Sequence, residues 1–117
     1  MITLKETKEK IEQDKLHWTV YLMDFVDDFR YYKNKNAIEQ SFQQSDERID
    51  ALLASTVDYL CSEMKLQSPS WVEKIPALKN PWFVSGIENL KAIALVESPL
   101  HFRKRKIFDL ENFLHRV

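Results

Sequence analysis

The chain has 117 residues, 44% apolar and 30% charged, with a net charge of −1, one cysteine and one glycine. That is long enough for a single hydrophobic core without metal or disulfide help, and too apolar for a disordered segment. It excludes an internal disulfide, a Cys/His zinc module and a glycine-rich phosphate loop, and the shortage of glycine argues against the tight turns of a strand-rich fold.

Taken in chain order, Thr3 followed by Glu6 is a capping-box pattern, so a helix is expected from about Leu4 through a highly charged segment to Asp14. These first residues lack the apolar core of a signal peptide, and no apolar run approaches the ~20 residues of a membrane span. With a lone cysteine, a reducing cytoplasmic compartment is expected. From Leu16 to Tyr32 the residues Trp18, Leu22, Phe25, Phe29 and Tyr32 recur at spacings of four and three, which is one face of an amphipathic helix. Asn34-Lys35-Asn36 breaks that pattern. Ala37 to Phe42 is expected to form one or two turns directing Ile38 and Phe42 inward.

Ser45-Asp46-Glu47 combines a capping residue with first-turn acids. The helix that follows carries Ile49, Leu52, Leu53, Val57, Leu60 and Met64 on one stripe, the strongest helical signal in the chain. Cys61 lies inside the stripe and is expected to be a buried thiol. Part of the same stripe could pair two copies as a homodimer.

Ser68-Pro69 opens a short helix that turns Trp71, Val72 and Ile75 to the core, and Pro76 stops it. The chain to Pro81 is then extended or turned, after which Trp82, Phe83 and Val84 are expected to enter the core. Ser85 with Glu88 forms a second capping box, for a helix through Ile87, Leu90 and Ala94 to about Glu97, with Gly86 placed for a close backbone approach. Ser98-Pro99 repeats the cap-and-proline device for a short helix across Leu100, Phe102 and the block Arg103-Lys104-Arg105-Lys106. Asp109 caps a final turn or two holding Leu110, Phe113, Leu114 and Val117. The expected architecture is all-α, a single domain over residues 1–117 packed as an irregular bundle of five to six helices.

Charge is uneven along the chain. Residues 1–64 carry thirteen acids and eight bases, and residues 65–117 carry five acids and nine bases. Either the halves complement each other inside one fold, or the second half offers a basic face to an acidic partner. The candidate partner-binding residues are Arg103, Lys104, Arg105, Lys106 and the nearby His101. Four consecutive cations on a short helix fan around it, so only two or three can face one partner. An acidic protein is the favoured partner. Nucleic acid is the alternative, with salt-dependent phosphate contacts and with Phe102 and Phe108 available for stacking, but a net charge near zero counts against it.

Other chemistry is weaker. His17, Tyr21, Asp24 and Asp28 form a stripe beside the apolar face of the second helix, where Asp24 and Asp28, one turn apart, could share a cation with a second helix. The simpler reading is a solvated acidic rim. A Gly-x-Ser-x-Gly nucleophile elbow is impossible with one glycine, and Ser85 and Ser98 are explained as caps. No catalytic residue, metal ligand or cofactor is assigned, and the chain is read as non-enzymatic.

The blocks Leu52-Leu53, Tyr59-Leu60, Pro69-x-Trp71-Val72, Pro81-Trp82-Phe83, Glu97-Ser98-Pro99-x-x-Phe102-Arg103-x-Arg105-x-Ile107-Phe108 and Leu114-x-x-Val117 together resemble a family of small bacterial proteins. The likeness covers roughly residues 45–117 and is most specific from 97 to 108. It implies an antitoxin-like interaction protein, whose partner would be a toxin, by gene-neighbourhood analogy. Some members carry a helix-turn-helix, but residues 1–44 show none. The resemblance carries no catalytic residues over.

Overall fold

The apolar spacings of the first half become three helices around a common core. In the computed structural model, which describes residues 1–115, these are α1 (Leu4–Gln13), α2 (Trp18–Tyr32) and α3 (Glu47–Glu63). Thr3 caps α1 through its side chain, which accepts from the Glu6 amide at 3.1 Å. Asp14 ends α1, and a single 3₁₀ turn at Lys15–His17 redirects the chain into α2. Asp46, rather than Ser45, caps α3, accepting from the amides of Arg48 and Ile49. Ser45 instead gives its amide to the Asp50 carboxylate at 2.8 Å.

The core is built from Leu4 and Ile11 of α1, Leu22, Phe25 and Phe29 of α2, and the α3 stripe, with Ile38 and Phe42 from the connecting loop. Trp18 is only half-buried at its edge, and Tyr32 is exposed. One ion pair is buried within it: Lys8 of α1 meets Asp50 of α3 and also donates to the Gln43 carbonyl at 3.2 Å. A cation and an anion so placed are tolerated because each is paired and hydrogen-bonded. Cys61 is fully buried, and burial pushes its thiol above the ordinary value.

After α3 the chain changes character. A 3₁₀ turn at Ser70–Lys74 brings Trp71 and Val72 inward, and the Trp71 indole donates to the Ile38 carbonyl at 2.9 Å. Two two-residue strands follow, β1 (Trp82–Phe83) and β2 (Ile107–Phe108), paired in parallel with Trp82 opposite Ile107 and Phe83 opposite Phe108. Between them lie a 3₁₀ turn at Glu88–Leu90 and two short helices, α4 (Lys91–Glu97) and α5 (Leu100–Arg103). The fold is all-α, an irregular bundle of five α-helices among the described residues, with this small ladder added. Trp82, Phe83 and Val84 do not enter the core as expected. All three are half-buried: Trp82 and Val84 pack against the core, Trp82 on Trp18, and Phe83 stacks on Phe108.

The C-terminal segment is turns rather than helix. Asp109 accepts from the adjacent Leu110 amide, and burial raises its carboxyl above the ordinary range. Leu114 is buried, and its carbonyl accepts from Arg30 at 2.7 Å, which ties the segment to α2. The expected contact of Val117 lies outside the described residues. Among the described residues no helix is long and apolar enough to cross a membrane.

Candidate interaction surface

The basic block is not a helix with four fanned cations. Helix α5 ends at Arg103, the next three residues form a turn, and Lys106 sits in the left-handed region at φ 64° before β2 begins. That turn points Arg105 into the protein, where it is 5% exposed. Its guanidinium donates to the carbonyl of Val72 at 2.9 Å and lies 3.3 Å from the Asp58 carboxylate of α3. Weaker contacts reach the Ile75 carbonyl and the Ser55 hydroxyl. Five donors in a fixed fork suit such a role, stitching a turn to a helix and to a loop. Arg105 is therefore a structural residue, which corrects its expected place on a contact surface.

Two other members of the block are also engaged. Lys104 pairs with Asp58 at 2.9 Å, and Lys106 donates to the Lys79 carbonyl at 3.3 Å. Burial opposes the charge on Asp58, but hydrogen bonds from Ser68, Lys104 and Arg105 hold its carboxyl below the ordinary range. The acidic first half and the basic second half thus meet at this residue. Arg103 is exposed and has no partner among the described residues. His101 packs its ring edge-to-face on Tyr59, with centroids 6.3 Å apart, and its Nδ1 is enclosed without a hydrogen-bond partner among the described residues. Burial lowers its pKa, which favours the neutral imidazole.

The serine starts differ from expectation as well. Ser98 does not cap α5; it is buried, and its hydroxyl donates to the Ile107 carbonyl of β2 at 3.0 Å. Ser85 accepts from the Ile87 amide, one residue earlier than a capping box requires. Gly86 has φ 68° with open space where a Cβ would stand, so the turn needs glycine and no close approach does.

The side chains of the stripe beside α2 are engaged within the chain. His17 and Tyr21 both bond Asp14, and Asp28 accepts from the Ile2 amide at 2.6 Å. Asp24 and Asp27 have partners of their own. Among the described residues no three His, Cys, Asp or Glu side chains come close enough to hold a metal ion.

What sequence reasoning missed is the exposure of α4, which lies within the helix expected through Ile87, Leu90 and Ala94 to about Glu97. Five of its seven residues are apolar, yet only Ala94 is buried. Val96 is 77% exposed and Leu100, just beyond the helix, 62%; Ile87, Ile93 and Leu95 are also exposed. The helix packs mainly on the 3₁₀ turn before it and on β2. Ala92, Ile93, Val96 and Glu97 line an open recess of about 310 Å³. A signal was present in Lys91-Ala-Ile-Ala-Leu-Val-Glu97: apolar residues run without a helical period, so one buried face cannot take them all.

No protein-family model, no curated protein and no solved structure matches this chain. The antitoxin-like reading therefore rests on the sequence blocks alone.

Proposed function

We propose that this chain is a protein-interaction domain, acting by docking and not by catalysis, with the α4–α5 segment as its contact surface. One observation carries the reading: α4 is apolar at five of seven positions and removes only Ala94 from water. Large apolar side chains clustered on one exposed element, rather than scattered singly, point to a partner site. Helix α5 and the buried Arg105 hold the base of this segment on α3, so the patch is offered from a fixed mount.

A second reading places an acidic protein partner on His101, Arg103, Lys104 and Lys106. The exposed, unpaired Arg103 favours it, and the half-exposed Lys104 adds to it. A nucleic-acid accessory role would use the same cations, now fewer by the inward Arg105. A bacterial, cytoplasmic setting with a toxin as the docked protein is implied by the resemblance alone.

Affinity capture with the whole chain as bait separates these readings. The variant Val96→Asp/Leu100→Asp is expected to lose a specific partner while keeping the wild-type thermal melt, and Arg103→Glu to keep that partner. Loss only with Arg103→Glu would move the site to the basic turn. Recovery of the same proteins by all three chains would sink the proposal. Binding of DNA or RNA that weakens steeply with salt would favour the accessory role instead.

A further inference from the structure

The α4 patch has a chemical polarity that names its occupant. The apolar recess formed by Ala92, Ile93 and Val96 is bounded by Glu97. Glu97 also borders a second open recess of about 430 Å³, lined by Tyr59, Pro99, Glu111, Asn112 and His115. The two recesses therefore join at one side chain, an apolar shelf on one side and a polar hollow with two carboxylates on the other. Neither Glu97 nor Glu111 has an ion-pair or hydrogen-bond partner among the described residues, and both are exposed. Among the described residues no lysine or arginine lines either recess. The nearest cation in the helix, Lys91, is paired with Glu88 at 3.0 Å and lies over the Phe83 ring.

We infer that this surface takes a partner segment in which an apolar side chain stands beside a lysine or arginine, the apolar group on the Ile93–Val96 shelf and the cation between Glu97 and Glu111. This rests on the docking reading of α4 and adds the charge of what docks there. Removing apolar area from water supplies the attraction, and the carboxylates set which segments are accepted. The hollow has room for a long side chain, with the Asn112 amide and the Tyr59 ring to line its walls. A second copy of this chain is a poorer occupant. A two-fold contact through the same patch would bring the Glu97 and Glu111 carboxylates of both copies to one interface, where like charges oppose each other.

Selection of short random peptides displayed on phage, with the whole chain as target, tests the inference. The enriched peptides are expected to place Leu, Ile, Val, Phe or Met within a few residues of Lys or Arg. A synthetic peptide of the enriched sequence should bind about tenfold more weakly to Glu97→Gln/Glu111→Gln, as the loss of two rim ion pairs permits. It should fail to bind Val96→Asp and bind Arg103→Glu as it binds the wild type. Acidic enriched peptides, or equal affinity for Glu97→Gln/Glu111→Gln, overturn the inference but leave the docking surface standing if Val96→Asp still abolishes binding. No enrichment, or peptides indifferent to Val96→Asp, overturns both. A wild-type dimer in sedimentation that Val96→Asp dissociates makes a second copy the occupant and also overturns it.

Discussion

Helices α3 and α4 are both rich in apolar residues, and they use them in opposite ways. In α3, eleven of seventeen residues are buried, among them the polar Asp50, Ser55 and Thr56. In α4, one of seven is. The difference follows from what surrounds each helix. Helix α3 packs against α1, α5 and the 3₁₀ turn at Ser70–Lys74, so it is covered on several sides. Helix α4 stands on β2 and the turn before it, so one narrow face is covered and the rest meets water. Apolar content alone does not distinguish a core helix from an exposed one; the elements packed around it do. The comparison can be broken by substitutions that ask each helix what its apolar side chains contribute to folding.

The largest effect belongs to the middle of α3. Leu53 is fully buried, and Leu53→Ala should cost about 3–4 kcal/mol in urea unfolding, the sum of lost transfer energy and an unfilled cavity. A loss below about 1 kcal/mol would mean that α3 is not the core helix it is taken to be.

Next comes the mount that fixes the second half on the first. Arg105→Met keeps the buried stem but strips the fork that bonds the Val72 carbonyl and Asp58. We expect a loss of about 2–3 kcal/mol, less than for an isolated buried pair because Ser68 and Lys104 remain on Asp58. Arg103→Met, two residues away and exposed, should stay within about 0.5 kcal/mol. Equal effects from the two would erase the distinction between an inward and an outward arginine.

That distinction was not legible in a run of four cations. The partners of Arg105 come from residues 30 to 50 positions away, and a sequence does not say which carbonyls will be left in need of a donor. Nor does it announce Lys106 at positive φ, where a lysine takes the conformation usually left to glycine; Lys33 and Lys65 do the same elsewhere. Together these turned an expected helix over 100–106 into one turn of helix, a bend and a strand. The parallel pairing of Trp82 with Ile107 is equally non-local. What could be read were the elements whose information is local: the four-and-three spacing of α2, the α3 stripe with its buried Cys61, and the Thr3 cap. Helix α4 lies within the helix expected from the Ser85 and Glu88 pattern, but its exposure depends on neighbours that never arrive, which leaves Ile93, Leu95 and Val96 in water.

A smaller effect should appear as pH dependence where α5 meets α3. Burial holds the His101 imidazole below its ordinary 6.5, with Asp58 pulling it up and Lys104 and Arg105 pushing it down. The unfolded chain then takes up that proton first, so stability is full above about pH 6.5 and declines as pH falls through that value toward the folded pKa. His101→Phe should flatten this part of the profile while leaving a separate acid loss. Asp58 contributes to that second loss, together with Glu12, Asp14 and Asp46: its lowered pKa gives stability that is present above its ordinary 3.8 and disappears as pH falls through the folded value. Stability that declines identically in both proteins between pH 7 and 5.5 would remove His101 as the cause.

The smallest expected change is the one that tests α4 most directly. Val96 is 77% exposed and has little packing to lose. Val96→Ser should therefore alter the unfolding free energy by no more than about 0.5 kcal/mol. Serine also forms helix about as well as valine, so propensity does not obscure the result. If α4 were instead folded onto the core in solution, the same substitution would bury a hydroxyl and remove apolar contact, and the cost would rise to about 2 kcal/mol. A cost that large would make α4 a second α3 and remove the basis of the proposed docking face. A cost near zero, together with loss of partner binding in Val96→Asp, separates the two helices by function: α3 holds the domain together, and α4 is held out for something else to cover.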